Sequence, residues 1–511
     1  MTCLGRNLTR GASLSVRPEL DLAGLVLALM LAWALPGCTV GPDYQRPAAF
    51  TGGTAPPPAF AESAPATNVA SAATWGPAQP AADRERGAWW RIFNDAELDR
   101  VEALAGRDNP GLAAALARVD EARAVVGLAG ADRFPHVNLG ASYTRQRTSA
   151  NQPQNGRPAG EAHTFNTFTL PLEAAWEPDL WGRVRRQVEA ARARLAASDD
   201  DTAAVRLLVE AEVATAYFAL RTAEAELELL RRTTETYRQS WTLTRNRRAG
   251  GIANDLEVSQ AETQLRTAEA QQPALSLEVA RWRHALAALC GRPAAGFELA
   301  AAGAPLPLPP SPPDVVPSTL LEHRPDVAAA ERRMAAANAG MGVARTAFYP
   351  RFVVRGLAGF QSIDAASWFD WPSRLWAVGP SLEWPVFQGG RNRAQLAAAE
   401  AAYAALVAEY RGTVVRAFQE VEDQLAAHRW LAEQLVAEQA AVAAARRTVE
   451  VANNRYHAGL VTYLEVATAQ AAELNRERSA LQLTGSRLAA SVGLIRAIGA
   501  GWTPADPASA K

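Results

Sequence analysis

Two stretches of this chain follow one plan, and that repeat limits the possible folds more than any other feature. Asn109-Pro110 and Phe134-Pro135 recur as Arg324-Pro325 and Tyr349-Pro350, each 215 residues later. Trp176, Gly182, Arg183 and Arg185 recur as Trp384, Gly390, Arg391 and Arg393 at an offset of 208. The same offset carries Arg247, Gly251, Leu256, Glu257 and Val258 onto Arg455, Gly459, Leu464, Glu465 and Val466. A constant offset over so long a stretch identifies two copies of one supersecondary unit. The drop from 215 to 208 assigns seven extra residues to the first copy, in the polar stretch 145–164.

Within each copy the hydrophobic period changes. Val137, Leu139, Ala141 and Tyr143 alternate with His136, Asn138, Gly140 and Ser142, the two-residue period of a half-buried strand. Phe168, Leu170, Leu172, Ala174 and Trp176 then alternate with Thr169, Pro171, Glu173 and Ala175. Their counterparts in the second copy, Trp376, Val378, Pro380, Leu382 and Trp384, are apolar throughout, whereas residues 352–360 alternate less cleanly and include Arg355. Strands are expected near 136–147, 165–177, 351–361 and 375–387. Each is about 10 residues long, as a tilted bilayer-crossing strand requires, with Trp and Phe at the ends of the apolar face as an interfacial girdle.

On either side of the strands the period is helical. Val213, Ala216, Leu220, Ala223, Leu227, Leu230, Thr234, Tyr237, Trp241 and Thr244 are spaced three then four, a coiled-coil seam. Leu431, Leu435, Val442, Ala445, Val449 and Ala452 repeat it more weakly. No proline interrupts 183–247 or 391–455, so each span predicts a helix about 100 Å long. Each turns back at glycine, at Gly250-Gly251 and at Gly459, and Pro273 is expected to bend or break the first returning helix.

The N-terminus reads as a leader. Arg6, Arg10 and Arg17 precede an apolar run at 22–35, whose 14 residues fall short of the roughly 20 needed to span a bilayer. The run ends in Leu35-Pro36-Gly37-Cys38, which resembles a bacterial lipobox and implies an acylated Cys38 as the mature N-terminus. Thr39 in the next position favours sorting to the outer membrane. The expected organisation is a signal peptide at 1–37, an anchored Pro/Ala-rich linker without its own core at 38–88, a first repeat at 89–300, a Pro-rich linker at 301–317, a second repeat at 318–502 and a flexible tail at 503–511.

Four strands cannot close a membrane barrel, because single-chain examples begin at about eight and open sheet edges are not tolerated in lipid. Several chains must then share one barrel, two giving about 8 strands or three about 12. The net charge of −1 offers no electrostatic case for nucleic acid.

Six strings in order carry a family resemblance: Cys38-Thr39-Val40-Gly41-Pro42-Asp43-Tyr44-Gln45-Arg46-Pro47, Trp89-Trp90-Arg91-Ile92-Phe93, His323-Arg324-Pro325-Asp326, Phe387-Gln388-Gly389-Gly390-Arg391, Arg455-Tyr456-His457-Ala458-Gly459-Leu460-Val461 and Gly499-Ala500-Gly501-Trp502. On these the chain resembles the NodT-type lipoproteins of the TolC-like outer-membrane efflux channels. The resemblance implies a mainly α fold with membrane β, in which a homotrimer forms a 12-stranded barrel continuous with a long periplasmic α-helical barrel. It implies passive conduction of small molecules such as drugs, a periplasmic membrane-fusion adaptor and an inner-membrane pump of the resistance-nodulation-division type as partners, and no cofactor beyond lipid on Cys38. It places adaptor contacts at the helix tips Gly250, Gly251, Ile252, Gly459, Leu460 and Val461, and a periplasmic gate near Tyr456, Leu464 and Thr468. Where the pattern carries an Asp and an Arg, this chain has Thr468 and Ala471, so a carboxylate ring would be missing, and Leu464 either supplies an apolar constriction or packs between helices.

Other signals are bland. Asp199-Asp200-Asp201 reads as a solvated helix face and the six histidines lack metal-ligand spacing. Cys290 in an apolar run reads as a small core residue. The chain shows no nucleophile-elbow pattern, and enzymatic function is the weakest reading. A polypeptide-secretion duct and a lipid-anchored coiled-coil fibre are the rival readings.

Overall fold

The computed structural model describes residues 39–50, 57, 59–62, 87–151, 162–300, 306–310 and 324–499. Cys38, the rest of the leader, most of the Pro/Ala-rich segment, His323 and Trp502 lie outside the described residues. The chain forms two compact units, one comprising Met1–Pro42, Leu128–Val188 and Gly342–Leu396, the other Asp43–Gly127, Glu189–Met341 and Ala397–Lys511.

The first unit carries an antiparallel sheet. Strands β1 (His136–Leu139) and β2 (Ser142–Arg147) both pair with β3 (Thr164–Trp176), which pairs with β4 (Arg351–Ser362), which pairs with β5 (Arg374–Glu383). β1 and β2 keep one register, from His136 opposite Ala175 to Arg147 opposite Thr164. The single strand expected at 136–147 is therefore interrupted at Gly140 and Ala141. Pro171 stands opposite Gly140 and has no N–H to return, while the Gly140 N–H still donates to Pro171 O at 2.9 Å. β5 ends at Glu383, short of the expected 387, because Pro385 withholds a donor and restricts Trp384 before it.

Cross-strand pairing sorts the side chains into two faces. Leu139 with Leu172, Leu170 with Phe360 and Ala358 with Trp376 share one apolar face. Asn138 with Glu173, Thr169 with Gln361 and Val353 with Ser381 share the other, which also takes Arg355 opposite Ala175. The weak alternation of β4 thus has a cause: Arg355 belongs to the polar set. At the base of this unit the chain just after Cys38 is docked. The Val40 N–H donates to Trp181 O at 3.1 Å, and the Arg186 guanidinium donates to Val40 O at 3.4 Å and Gly41 O at 3.3 Å.

The described helices come in matched pairs. α2 (Pro110–Ala131) and α5 (Pro325–Thr346) have 22 residues each, α3 (Arg183–Ala249) and α6 (Arg391–His457) 67 each, and α4 (Asp255–Leu289) and α7 (Tyr463–Ala497) 35 each. A short α1 (Ala96–Asp108) precedes them. At 1.5 Å per residue the two long helices each reach about 100 Å. The seam read from α3 is buried from Val213 to Thr244 except at half-buried Trp241. The weaker α6 seam is mostly half-buried. α4 runs through Pro273 without a break, against the stronger expectation, because Leu265, Ala268, Leu275 and Val279 bury it on both sides of the missing N–H.

Repeat equivalence extends to single hydrogen bonds. The Asn109 amide donates to Leu289 O at 2.7 Å, closing the end of α4. Its counterpart Arg324 donates to Ala497 O at 2.9 Å at the equivalent end of α7, and also pairs with Asp326 and Glu420 at 2.7 Å. Around α1, Asp95 caps the helix through the Glu97 and Leu98 N–H groups and accepts from the Tyr217 hydroxyl at 2.7 Å. Phe93 meets Phe218 with ring centroids 4.7 Å apart in the main core. Part of the segment expected to be a coreless linker is packed onto a second core: Phe60 is buried with Tyr410, Val414 and Val421, and the Ala61 and Glu62 N–H groups donate to the Glu422 carboxylate.

Cys290 is buried, its thiol 3.7 Å from Val101 O and pushed up to about 11 chiefly by burial. Asp201 pairs with Arg333 at 2.6 Å and Asp200 is buried, so the aspartate run is less solvated than its sequence suggests. Glu102 on α1 is also buried, and neither carboxyl oxygen has a hydrogen-bond partner among the described residues. Burial, then repulsion from Glu210 and Asp99, pushes its carboxyl from 4.5 to about 10. A raised carboxyl pKa makes this contribution to stability complete below about 4.5 and progressively lost as pH climbs toward 10. Glu102→Gln is therefore expected to stabilise the helical unit by on the order of 2 kcal/mol at pH 8. Melting curves of both proteins at pH 8 and pH 4 check this; a gap of equal size at both would contradict it.

Candidate gate and hairpin tips

Each long helix returns through the same chemistry. After α3, Gly250 N–H donates to Asn246 O at 3.0 Å and Ile252 N–H to Arg247 O at 2.8 Å. After α6, Leu460 N–H donates to Arg455 O at 2.9 Å, the repeat equivalent of the Ile252 bond. Gly251 and Gly459 both sit at φ 75°, the left-handed conformation that closes a helix end and that glycine adopts without a Cβ penalty. The helix starts differ. Asn254 and Glu257 form a reciprocal capping box on α4, whereas Thr462 makes no side-chain cap on α7. Glu257 thus serves as a cap, and its counterpart Glu465 lies 3.9 Å from Arg455.

The tips are apolar as well as tight. Ile252 and Leu460 are 71% and 70% exposed, and Val461 packs partly into the cluster behind them. Behind that surface the two hairpins are laced together. Tyr456 and Tyr463 are buried with ring centroids 5.7 Å apart. The Arg247 guanidinium sits 4.5 Å over the Tyr456 ring and donates to Tyr456 O at 3.3 Å. The Tyr463 hydroxyl donates to Gln264 Oε1 at 2.9 Å, and Gln264 donates to Gln470 Oε1 at 3.2 Å. Burial pushes the Tyr463 hydroxyl up to about 12, so it remains a donor at neutral pH.

The three gate candidates do not share one environment. Leu464 and Thr468 are exposed, four residues apart on one face of α7, with exposed Ala471 continuing the line. The Thr468 hydroxyl donates to Leu464 O at 2.8 Å and is used by its own helix. That face carries no titratable side chain at these three positions. Tyr456 is instead buried, 4% exposed within the protomer. Sequence reading missed Arg247, Tyr463, Gln264 and Gln470 as lacing residues. The available signal was divergence between copies: Tyr456, Tyr463 and Gln264 stand where the other copy has Arg248, Asp255 and Ala472. Among the described residues no cluster of His, Cys, Asp or Glu could hold a metal ion. No helix there is long and apolar enough to cross a membrane.

Comparison with known proteins follows the same division into copies. The profile of the family described as outer membrane efflux protein matches residues 102–292 and again 316–500. The outer membrane protein OprJ of Pseudomonas aeruginosa is 34% identical over 481 residues, 93% of this chain and 96% of that protein. The probable outer membrane lipoprotein SilC of Salmonella typhimurium is 30% identical over 487 residues, 93% of this chain and 98% of that protein. The solved outer-membrane channel OprN superposes with a TM-score of 0.80 at 30% identity, over 91% of this chain and all of that one.

Proposed function

Because the chain belongs to the outer membrane efflux protein family, we propose that it is the passive exit duct of a three-part efflux pump, built as a homotrimer around one shared 12-stranded barrel. It is a component of efflux in the bacterial outer membrane. The observation that carries the duct reading is the sheet: four staves, an exposed apolar face, and outer edges on β1/β2 and β5 with no partner strand among the described residues. Lipid accepts no open edge, so neighbouring copies supply the missing partners, and three copies bring the count to about 12. The polar face then lines the lumen. Val137, Leu139, Trp376 and Leu382, all more than half exposed in the single chain, then meet hydrocarbon.

Conduction needs no bond chemistry, cofactor or energy input from this chain. Energy comes from an inner-membrane pump of the resistance-nodulation-division type, joined through a periplasmic membrane-fusion adaptor. The exposed apolar tips at Ile252 and Leu460, with Gly250, Gly251, Gly459 and Val461, are the surface offered to that adaptor. Leu464 and Thr468, repeated threefold, form the constriction at the periplasmic entrance, where an apolar ring resists ions by shedding water. Lipid on Cys38 anchors each chain. The docking of Val40 and Gly41 on Trp181 and Arg186, in the unit that carries the sheet, supports this. Small organic molecules such as drugs are the cargo.

The test is accumulation of a fluorescent pump substrate in the source bacterium stripped of its other exit ducts. Restoring this protein is expected to lower accumulation several-fold. Accumulation equal to that of the stripped strain, with the protein present and correctly localised, would overturn the duct reading.

A further inference from the structure

The loop between β4 and β5 (363–373) folds onto the apolar face of the sheet. Register puts Tyr143 opposite Phe168 and Leu170 opposite Phe360, all on that face. The loop's rings rest on them: Trp368 lies 5.4 Å from Phe168, Phe369 lies 6.0 Å from Phe360, and the two loop rings stack at 5.0 Å. Trp371 beside them is 71% exposed. This aromatic floor lies at the end of the sheet opposite the one where β3 leads toward α3.

Arginines come next on the same face. Arg145 and Arg147 follow Tyr143 at two-residue steps on β2, opposite Asn166 and Thr164, and Arg374 opens β5 opposite Phe360. All three are exposed, and none makes an ion pair with a described residue. Arg374 stacks 4.3 Å over Trp371. The loop acids Asp364 and Asp370 pair with none of them; Asp364 accepts from Ala366 N–H instead. Moving outward along β1 and β2 this face runs from Val137 and Leu139 through Tyr143 to Arg145 and Arg147, while Arg374 flanks the rings level with Phe360. A bilayer leaflet runs in the same order through hydrocarbon, interface and phosphate. Three strand spacings from β2 to β5 make the floor about 14 Å wide, broad enough for a lipid with several chains.

We propose that Arg145, Arg147 and Arg374, above the floor formed by Trp368, Phe369 and Trp371, bind the phosphorylated headgroup of an outer-leaflet glycolipid. The inference rests on the barrel reading above, which sets this end of the sheet at the outer leaflet. Guanidinium groups recognise phosphate by paired N–H donors, and their stems lie along the rings while the heads reach the phosphates.

Native mass spectrometry of the protein extracted from outer membranes into detergent tests this with three probes. Diphosphoryl lipid A is expected to bind the wild-type assembly at least about tenfold more than chemically dephosphorylated lipid A, a difference of roughly 1.4 kcal/mol. The triple variant Arg145→Gln, Arg147→Gln, Arg374→Gln should lose that preference, and the triple Lys variant should keep part of it. Inorganic pyrophosphate, which gives the rings nothing to hold, should leave no adduct. Equal binding of the two lipid A forms to wild type would overturn the site, whether or not the Gln variant folds, and so would a pyrophosphate adduct without a lipid A adduct. Absence of any oligomer would instead overturn the barrel reading beneath it, so the two failures are distinguishable.

Discussion

Gly359→Val is expected to remove the assembled channel from the outer membrane. A Cβ at position 359 would stand 2.1 Å from Leu170 O and 3.0 Å from Pro171 Cα, and both are backbone of the paired strand β3. No rotamer change relieves such a contact, so β3 and β4 must separate at the centre of the sheet. Overpacking against movable side chains already costs about 1–3 kcal/mol. Against fixed backbone, repeated in every copy of a shared barrel, the assembled fraction should fall by roughly tenfold or more. Gly356→Val on the same strand is the matched control, since a Cβ there meets only Ala174 Cβ, at an ordinary 3.9 Å. Immunoblots of heat-resistant oligomer from outer membranes compare the two, and equal assembly would contradict the β3–β4 pairing described here.

Leu464→Asp is expected to raise conductance in planar bilayers several-fold. Leu464 is 53% exposed on the single chain, on the face of α7 that also carries Thr468 and Ala471. Nothing titratable stands at those three positions, so the constriction proposed above would resist ions by dewetting rather than by charge. A carboxylate on each copy hydrates the constriction and draws in cations. Leu464→Ala should open it by less, widening the ring without wetting it as well. If both variants conduct like wild type, Leu464 only packs between helices and the constriction lies elsewhere.

What the sequence made legible was periodic. The three-and-four spacing from Val213 to Thr244 named the buried seam of α3, and the offset of 208 carried Gly251 onto Gly459 and Leu256 onto Leu464. The alternation of Phe168, Leu170 and Leu172 gave the apolar face of β3. What stayed hidden depends on contacts that period does not encode. Pro171 silences one donor, which shows only when Gly140 is known to be its partner across the ladder. Pro273 was expected to bend or break α4, yet burial on either side keeps the helix whole. The Pro/Ala composition of the segment 38–88 concealed that Phe60 is buried against Tyr410. Tyr456 matched a gate pattern in one dimension, which said nothing of the Arg247 guanidinium and the Tyr463 ring packed against it. Charge and proline report local preference; whether a side chain faces a neighbour or the lumen is settled by packing.

The central claim is that several copies close one barrel, because the four staves of a single chain leave two open edges. Native mass spectrometry of protein gently extracted from outer membranes measures this directly. The account predicts a mass of three chains with acyl groups on each Cys38. A stable, lipidated single chain would contradict it, since β1/β2 and β5 would then have to meet lipid unpaired.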